Sequence, residues 1–264
     1  MGVTLNIDAA ASLNNVLSDP GFQAALFAYT STTSPGTGSN ITALNITAAS
    51  SGYLANQIAG GAKPDIFFSA ATAPMSQLAA DSPPLVTNVN NVLRNSLVLI
   101  RKSNYTLTPP IVSFGQIDLL NPSNVSIFVA DTQTWNTPAG FYAQQAFQYF
   151  GKWTWVEQNA TITTMQNVTY VYNAVAGAGR PAVGAVYFTD AVQAEVQGTS
   201  NPVSIIAQAP TTVNDNIIYP VAQVTTGANQ AAAADFVSFV TAKPNPITPA
   251  NAMYYFLKWG FLPY

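Results

Sequence analysis

The chain has no cysteine and no histidine. The first absence excludes a disulfide framework and a thiolate metal site. The second removes the commonest general base and the commonest zinc ligand. Ser-His-Asp, Cys-His and His-zinc chemistries are therefore closed to it. Charge is scarce as well. Only 8 Lys+Arg and 11 Asp+Glu occur among 264 residues, or 7 %, against about 25 % in an average soluble protein. The net charge is −3, and no basic cluster extends beyond Arg101–Lys102, so nucleic acid finds no electrostatic footprint. Although 48 % of residues are hydrophobic, no apolar run reaches the roughly 18–20 residues that span a bilayer. Met1–Leu5 runs straight into a strand pattern without a basic, apolar leader. Any export signal or membrane anchor is thus expected outside this sequence.

What is present points to a folded chain. Four Trp, 12 Tyr and 14 Phe, with many Val, Ile and Leu, bury a large core and rule out disorder. Ser, Thr, Asn and Gln replace the missing charge, giving an uncharged polar surface. Protonating every carboxylate moves the side-chain charge from −3 to +8, the 11 units contributed by Asp+Glu. An average chain of this length swings about three times as far. Because self-repulsion drives acid unfolding, the composition fits an extracytoplasmic protein in acidic surroundings. Six Asn-x-Ser/Thr sequons, at Asn40, Asn45, Asn104, Asn124, Asn159 and Asn167, agree with export and glycosylation.

Strand and helix patterns alternate along the chain. Strands are expected at Val3–Asp8, Ile41–Ile46, Asp65–Ser69, Asn95–Arg101, Val125–Ala130, Val183–Tyr187, Val203–Ala207 and Ile217–Val224. Helices are expected from Ser12, from Ser51 (as a cap) to Gly60-Gly61, at Ala139–Phe150, at Val168–Ala176, from Asp190 (as a cap) through Glu195, at Asn229–Thr241 and at Pro249–Trp259. Ser113–Gln116 has a capping-box pattern, and Ser31–Ser39 reads as a loop. The alternation argues for an α/β fold with mainly parallel sheets, as one sheet or two lobes. In such folds ligands bind outside the carboxyl ends of strands.

Three strand-to-helix junctions use small residues: Ala9–Leu13, Ala49–Gly52 and Pro138–Gly140. Small side chains expose backbone N–H groups, and helix N-termini add unpaired N–H and partial positive charge. Several such termini together bind an anion without Lys or Arg. Ser12 and Ser51 are equally readable as ordinary helix caps, Val168 as a core residue at a helix start and Tyr187 as strand core.

The segment Ile7–Leu13 (IDAAASL) resembles the opening motif of periplasmic molybdate-binding proteins, the solute receptors of ABC importers. Ala49–Ile58 (ASSGYLANQI), Gly61–Ala70 (GAKPDIFFSA) and Asn95–Ile100 (NSLVLI) resemble later blocks. So do Pro138–Ala143 (PAGFYA), Gly184–Ala191 (GAVYFTDA), Tyr219–Ala222 (YPVA) and Trp259–Phe261 (WGF), in order along nearly the whole chain. The resemblance implies a two-lobed periplasmic-binding-protein fold of type II, joined by hinge strands. Lobe 1 would comprise residues 1–94 and 219–264, lobe 2 residues 95–218, with the ligand cleft between them. It implies a tetrahedral oxyanion, molybdate or tungstate, as ligand and no cofactor. The anion would meet the hydroxyl and N–H of Ser12 and Ser51, the N–H of Ala139 and Val168, and the hydroxyl of Tyr187. An ABC permease is the implied protein partner of a monomeric, non-enzymatic receptor that meets the membrane only through an anchor or that permease. Thr169 departs from the Arg that often follows the matching Val in the family.

Other classes fit less well. A glycosidase needs paired carboxylates, but the only Glu residues are Glu157 and Glu195, and neither faces Asp8 or Asp131 in an obvious pair. Gly177–Ala182 follows a helix where a dinucleotide fingerprint needs a strand. A glycosylated surface protein without a transport role explains the sequons but not the ordered blocks. A receptor of the same fold for another oxyanion, such as sulfate, remains the main alternative.

Overall fold

A computed structural model describes residues 2–32, 39–243 and 247–264. The chain opens with β1 (Val3–Ala10), a 3-10 turn (Ala11–Leu13), α1 (Asn14–Leu17), α2 (Pro20–Thr32), β2 (Ile41–Ala49), α3 (Ser51–Ala59), β3 (Ile66–Phe68), α4 (Thr72–Ala80) and β4 (Val86–Arg94). There follow β5 (Leu97–Lys102), a 3-10 segment (Phe114–Leu119), β6 (Ser126–Phe128), α5 (Pro138–Tyr149), α6 (Trp153–Asn159), α7 (Val168–Gly177), β7 (Ala182–Tyr187), α8 (Phe188–Ala191), α9 (Gln193–Val196), β8 (Val203–Gln208) and α10 (Thr211–Asn214). The chain closes with β9 (Ile218–Val224), α11 (Gln230–Thr241), α12 (Ala252–Lys258) and β10 (Leu262–Pro263). It divides into two compact units, Met1–Arg94 with Ile218–Tyr264, and Asn95–Ile217. Ile218 groups with the first unit because it pairs with Arg94 in the β4–β9 ladder.

The first unit is built on a six-stranded sheet, β10-β4-β9-β3-β1-β2. β1 runs parallel to both β2 and β3, whereas β9 is antiparallel to β3 and β4, and β10 to β4. In the second unit, β6-β7-β5-β8, only β6 and β7 are parallel. The sheets are therefore mixed rather than mainly parallel. The cause is the path of the chain. Strands β4 and β5 leave one unit and enter the other, β9 returns, and each lies antiparallel to a neighbour.

Successive side chains of a strand point to opposite faces, and β3 uses both. Phe67 packs with Leu54, Ile58, Met75 and Leu78 of α3 and α4. Phe68 meets Phe256 of α12 edge-on at 6.3 Å. Phe256 joins Phe22 of α2, which contacts Phe239 of α11 at 5.6 Å. Burial on both faces explains why β3 reads as an unbroken apolar run.

Local differences from the sequence expectations have simple causes. The cap of α3 is Ser50, and Ser51 is the first helical residue without a capping bond. Asp190 lies inside α8, buried, rather than capping a helix. Ser113 accepts from the Gly115 N–H, but the Gln116 side chain accepts from Val112 N–H, so the box is not closed. Ser31 and Thr32 belong to α2; residues 33–38 of the expected loop lie outside the described residues. Among the described residues no helix is long and apolar enough to cross a membrane.

One buried acid ties the first unit together. Asp65 is fully buried, and its carboxylate accepts from the backbone N–H groups of Asn6 and Asn229, both at 2.8 Å, and from their side-chain amides. It thereby joins β1 to the segment entering α11. Asp65→Ala leaves two backbone donors unpaired, at about 1–3 kcal/mol each. Urea denaturation is expected to show a loss of about 2–6 kcal/mol.

Candidate oxyanion site

The site residues are placed by strand register. Ala10 of β1 aligns with Ala49 of β2, and Ala9 with Phe68 of β3. Three parallel strands thus end at one sheet edge, and the residues leaving them are Ser12, Ser51 and Ala70. Ser12 sits in the 3-10 turn, 7 % exposed, and its Oγ lies 2.9 Å from the hydroxyl of Tyr219 on β9. Ser51 is 1 % exposed, and its Oγ accepts from the Ala70 N–H at 2.9 Å. The helical ladder of α3 begins with Leu54 N–H to Ser50 O, so the N–H groups of its first turn precede it. Neither serine makes a capping bond. The cap interpretation fails for both hydroxyls.

The second unit repeats the arrangement with different chemistry. β6 and β7 are parallel, with Phe128 opposite Gly184. Residues 161–165 run beside the end of β6, where Val129 N–H donates to Thr161 O and Asp131 N–H to Met165 O. The Thr137 hydroxyl donates to Gln166 O at 3.2 Å. These bonds bring the start of α5 and the start of α7 together. Ala139 is the second residue of α5, and Gly140 and Phe141 begin its ladder by donating to Thr137 O. Gly140 is required there, because a Cβ would run into the Ala130 carbonyl. At α7 the Asn167 side chain accepts from Thr169 and Tyr170 N–H. The Val168 N–H therefore stands ahead of both cap and ladder. Tyr187 ends β7, 2 % exposed, with its ring 6.5 Å from that of Tyr142. The structure gathers Ser12 with Ser51 at one edge in the first unit. In the second it gathers Ala139 with Val168, and Tyr187 ends the strand paired with β6.

None of these donors is a cation. Six of the eight basic residues are engaged elsewhere. Arg94 lies over Tyr264; Arg101, Lys102 and Arg180 donate to backbone carbonyls; Lys152 and Lys258 pair with Asp118 and Asp19. Lys63 precedes β3, at the end opposite Ala70, and Lys243 follows α11. Tyr219 was not singled out by sequence. It sits 207 positions from Ser12, and no local pattern links the two. No group of three or more acidic residues that could hold a metal ion occurs among the described residues.

A family model described as bacterial extracellular solute-binding protein matches residues 5–245. The molybdate-binding protein ModA of Haemophilus influenzae is 29 % identical over 193 residues, 73 % of this chain and 70 % of that one. The periplasmic molybdate-binding protein of Azotobacter vinelandii superposes with a TM-score of 0.72 over 98 % of each chain, at 19 % identity. The sulfate-binding protein SubI of Mycobacterium tuberculosis gives 0.64 over 99 % of this chain and 87 % of that one, at 17 % identity. At such identities the two structures speak for the fold alone.

Two buried acids flank the donor sets. Burial pushes Asp8, on β1, up to about 6, against a bond from Thr47. Burial pushes Asp190, three residues past Tyr187, up to about 7, against backbone bonds from Asp190 itself and Tyr187. An acid raised in the folded state binds more protons there than in the unfolded chain. Its stabilising effect is full below about pH 4 and is lost as pH rises through the folded value. Asp19 behaves oppositely. Burial raises it, but bonds from Lys258, Trp259 and Gly21 outweigh burial and leave it below its ordinary value. Its contribution is lost only in stronger acid. The melting midpoint of the ligand-free protein is expected to fall between pH 4.5 and pH 7.5, and Asp190→Asn to flatten that fall. A midpoint rising over this range would contradict the assignment.

Proposed function

Because the chain belongs to the bacterial extracellular solute-binding protein family, we propose that it is the receptor of an ABC importer for a tetrahedral oxyanion, molybdate or tungstate. The observation that carries this is the donor set. Each unit gathers neutral O–H and N–H groups at the carboxyl edge of parallel strands, and no Lys or Arg stands among them. We assign Ser12 and Ser51 of the first unit, and Ala139, Val168 and Tyr187 of the second, as the anion donors. The ligand name rests on the Haemophilus relative, which is a molybdate-binding protein.

Neutral donors also set the selectivity. A fully deprotonated oxyanion presents acceptors only, and a donor-only site satisfies it. A protonated one, such as hydrogen phosphate, brings a proton that faces another donor. One such mismatch costs about 1–3 kcal/mol, or roughly 5- to 150-fold in affinity. Sulfate is also an acceptor-only dianion and is the second reading, favoured by the fold shared with the sulfate-binding protein. Size, not charge, then separates it from molybdate.

A melting panel with molybdate, tungstate, sulfate and phosphate tests the proposal. Ligand at 100 times its Kd adds about 2.7 kcal/mol of stability. At equal concentration molybdate and tungstate are expected to raise the midpoint by several degrees and phosphate to raise it clearly less. The pair Ser12→Ala and Ser51→Ala should shrink the shift. A shift with no oxyanion at all would sink the reading.

A further inference from the structure

The direction of one hydrogen bond carries a consequence for binding. A serine hydroxyl has a single proton and two acceptor lone pairs. An acceptor-only ligand needs that proton. At Ser51 the protein leaves it available, since the partner of Oγ is the Ala70 N–H, which can only donate. At Ser12 the partner is another hydroxyl, that of Tyr219, and either atom can be the donor. If Ser12 donates to Tyr219, its proton is spent inside the protein. If Tyr219 donates, Ser12 is left in the same condition as Ser51.

Resting on the assignment of Ser12 to the anion site, we propose that Tyr219 is a positioning residue whose hydroxyl donates to Ser12 Oγ and turns the Ser12 proton toward the anion. Tyr219 is built to hold one position. It is fully buried. It pairs with Leu93 in the β4–β9 ladder, and its ring stands edge-on to Phe261 at 5.3 Å. A rigid phenol at the base of a flexible hydroxyl fixes the rotor before ligand arrives, so less freedom is lost on binding. Tyr219 touches no ligand in this scheme. It acts through Ser12, and that link makes it testable.

Molybdate affinity is measured by titration calorimetry for the whole protein and for Ser12→Ala, Tyr219→Phe and the double variant. Ser12→Ala is expected to weaken binding roughly 5- to 30-fold, the range for one lost hydrogen bond. Tyr219→Phe keeps the ring against Phe261 and is expected to weaken binding by several-fold. The double variant should bind no worse than Ser12→Ala, since the hydroxyl that Tyr219 is proposed to orient is already gone. A purely structural role for Tyr219 would instead lower the ligand-free melting midpoint and add its loss to that of Ser12→Ala. Tyr219→Phe binding like the unaltered protein, or additive losses in the double variant, overturns the proposal. Ser12→Ala without effect would instead overturn the assignment of the site. Tyr219→Met, which also lacks the hydroxyl, is read in the same way if Tyr219→Phe does not fold.

Discussion

The parallel register of β1 between β2 and β3 is the constraint on which the first unit depends. Parallel neighbours end at the same sheet edge, so the turns after Ala10, Ala49 and Phe68 emerge together. A slip of one residue would turn each side chain to the opposite face and part Ser51 from Ala70. Apolar burial alone does not hold this register in a strand as exposed as β2. Polar pairs hold it as well. Asn6 and Asn45 are register partners whose side chains bond at 2.9 Å. Asp8 and Thr47 are the next polar pair. Asp65 takes both amide groups of Asn6. A chain with so few ions fixes its strands with amides, hydroxyls and single buried carboxylates instead.

The second unit builds its edge with more backbone and fewer side chains. Its one parallel pair provides less of an edge, and the segment leading to α7 extends that edge by bonding alongside β6. One of the three donors proposed there is the hydroxyl of Tyr187; the other two are peptide N–H groups at helix starts, which cannot rotate away. Their cost is steric. The backbone must approach closely, and Gly140 against the Ala130 carbonyl is where that demand falls. Side-chain donors need partners to orient them, and peptide donors need small neighbours. The serines of the first unit and the Pro138-Ala139-Gly140 turn of the second are these two solutions.

How much of this was legible in the sequence follows from the same distinction. The helix starts at Ser12, Ser51 and Ala139 show themselves as small residues between a strand and a helix. Val168 and Tyr187 do not. A buried β-branched residue and a buried aromatic at a strand end look like core, and both are core by burial, 3 % and 2 % exposed. Only the family resemblance picked them out. β4 was not anticipated, because Thr87, Asn88, Asn90 and Asn91 interrupt any apolar alternation, and its ladder with β9 is irregular at two places. The expected parallel sheets failed for a topological reason. Alternating strands and helices report crossovers within a unit, but they say nothing of strands that leave it and return. Contacts such as Ser12 with Tyr219 exist only once β9 has come back beside the first strands.

The scarcity of charge and the neutrality of the donors belong to one physical scheme. Lys152 pairs with Asp118 and Lys258 with Asp19. Asp8 and Asp190 are buried without such a partner, and burial holds both toward the neutral form. Their neutrality matters because of where they sit. Asp8 lies in the strand that delivers Ser12, and Asp190 lies three residues past Tyr187. Ionised, each would place a negative charge in surroundings that screen it poorly, which would disfavour the anion proposed above. Protonated, each leaves the donor set electrically undisturbed. Acidification of such a chain costs little in self-repulsion, because there are few carboxylates to neutralise, and it drives Asp8 and Asp190 further toward the neutral form.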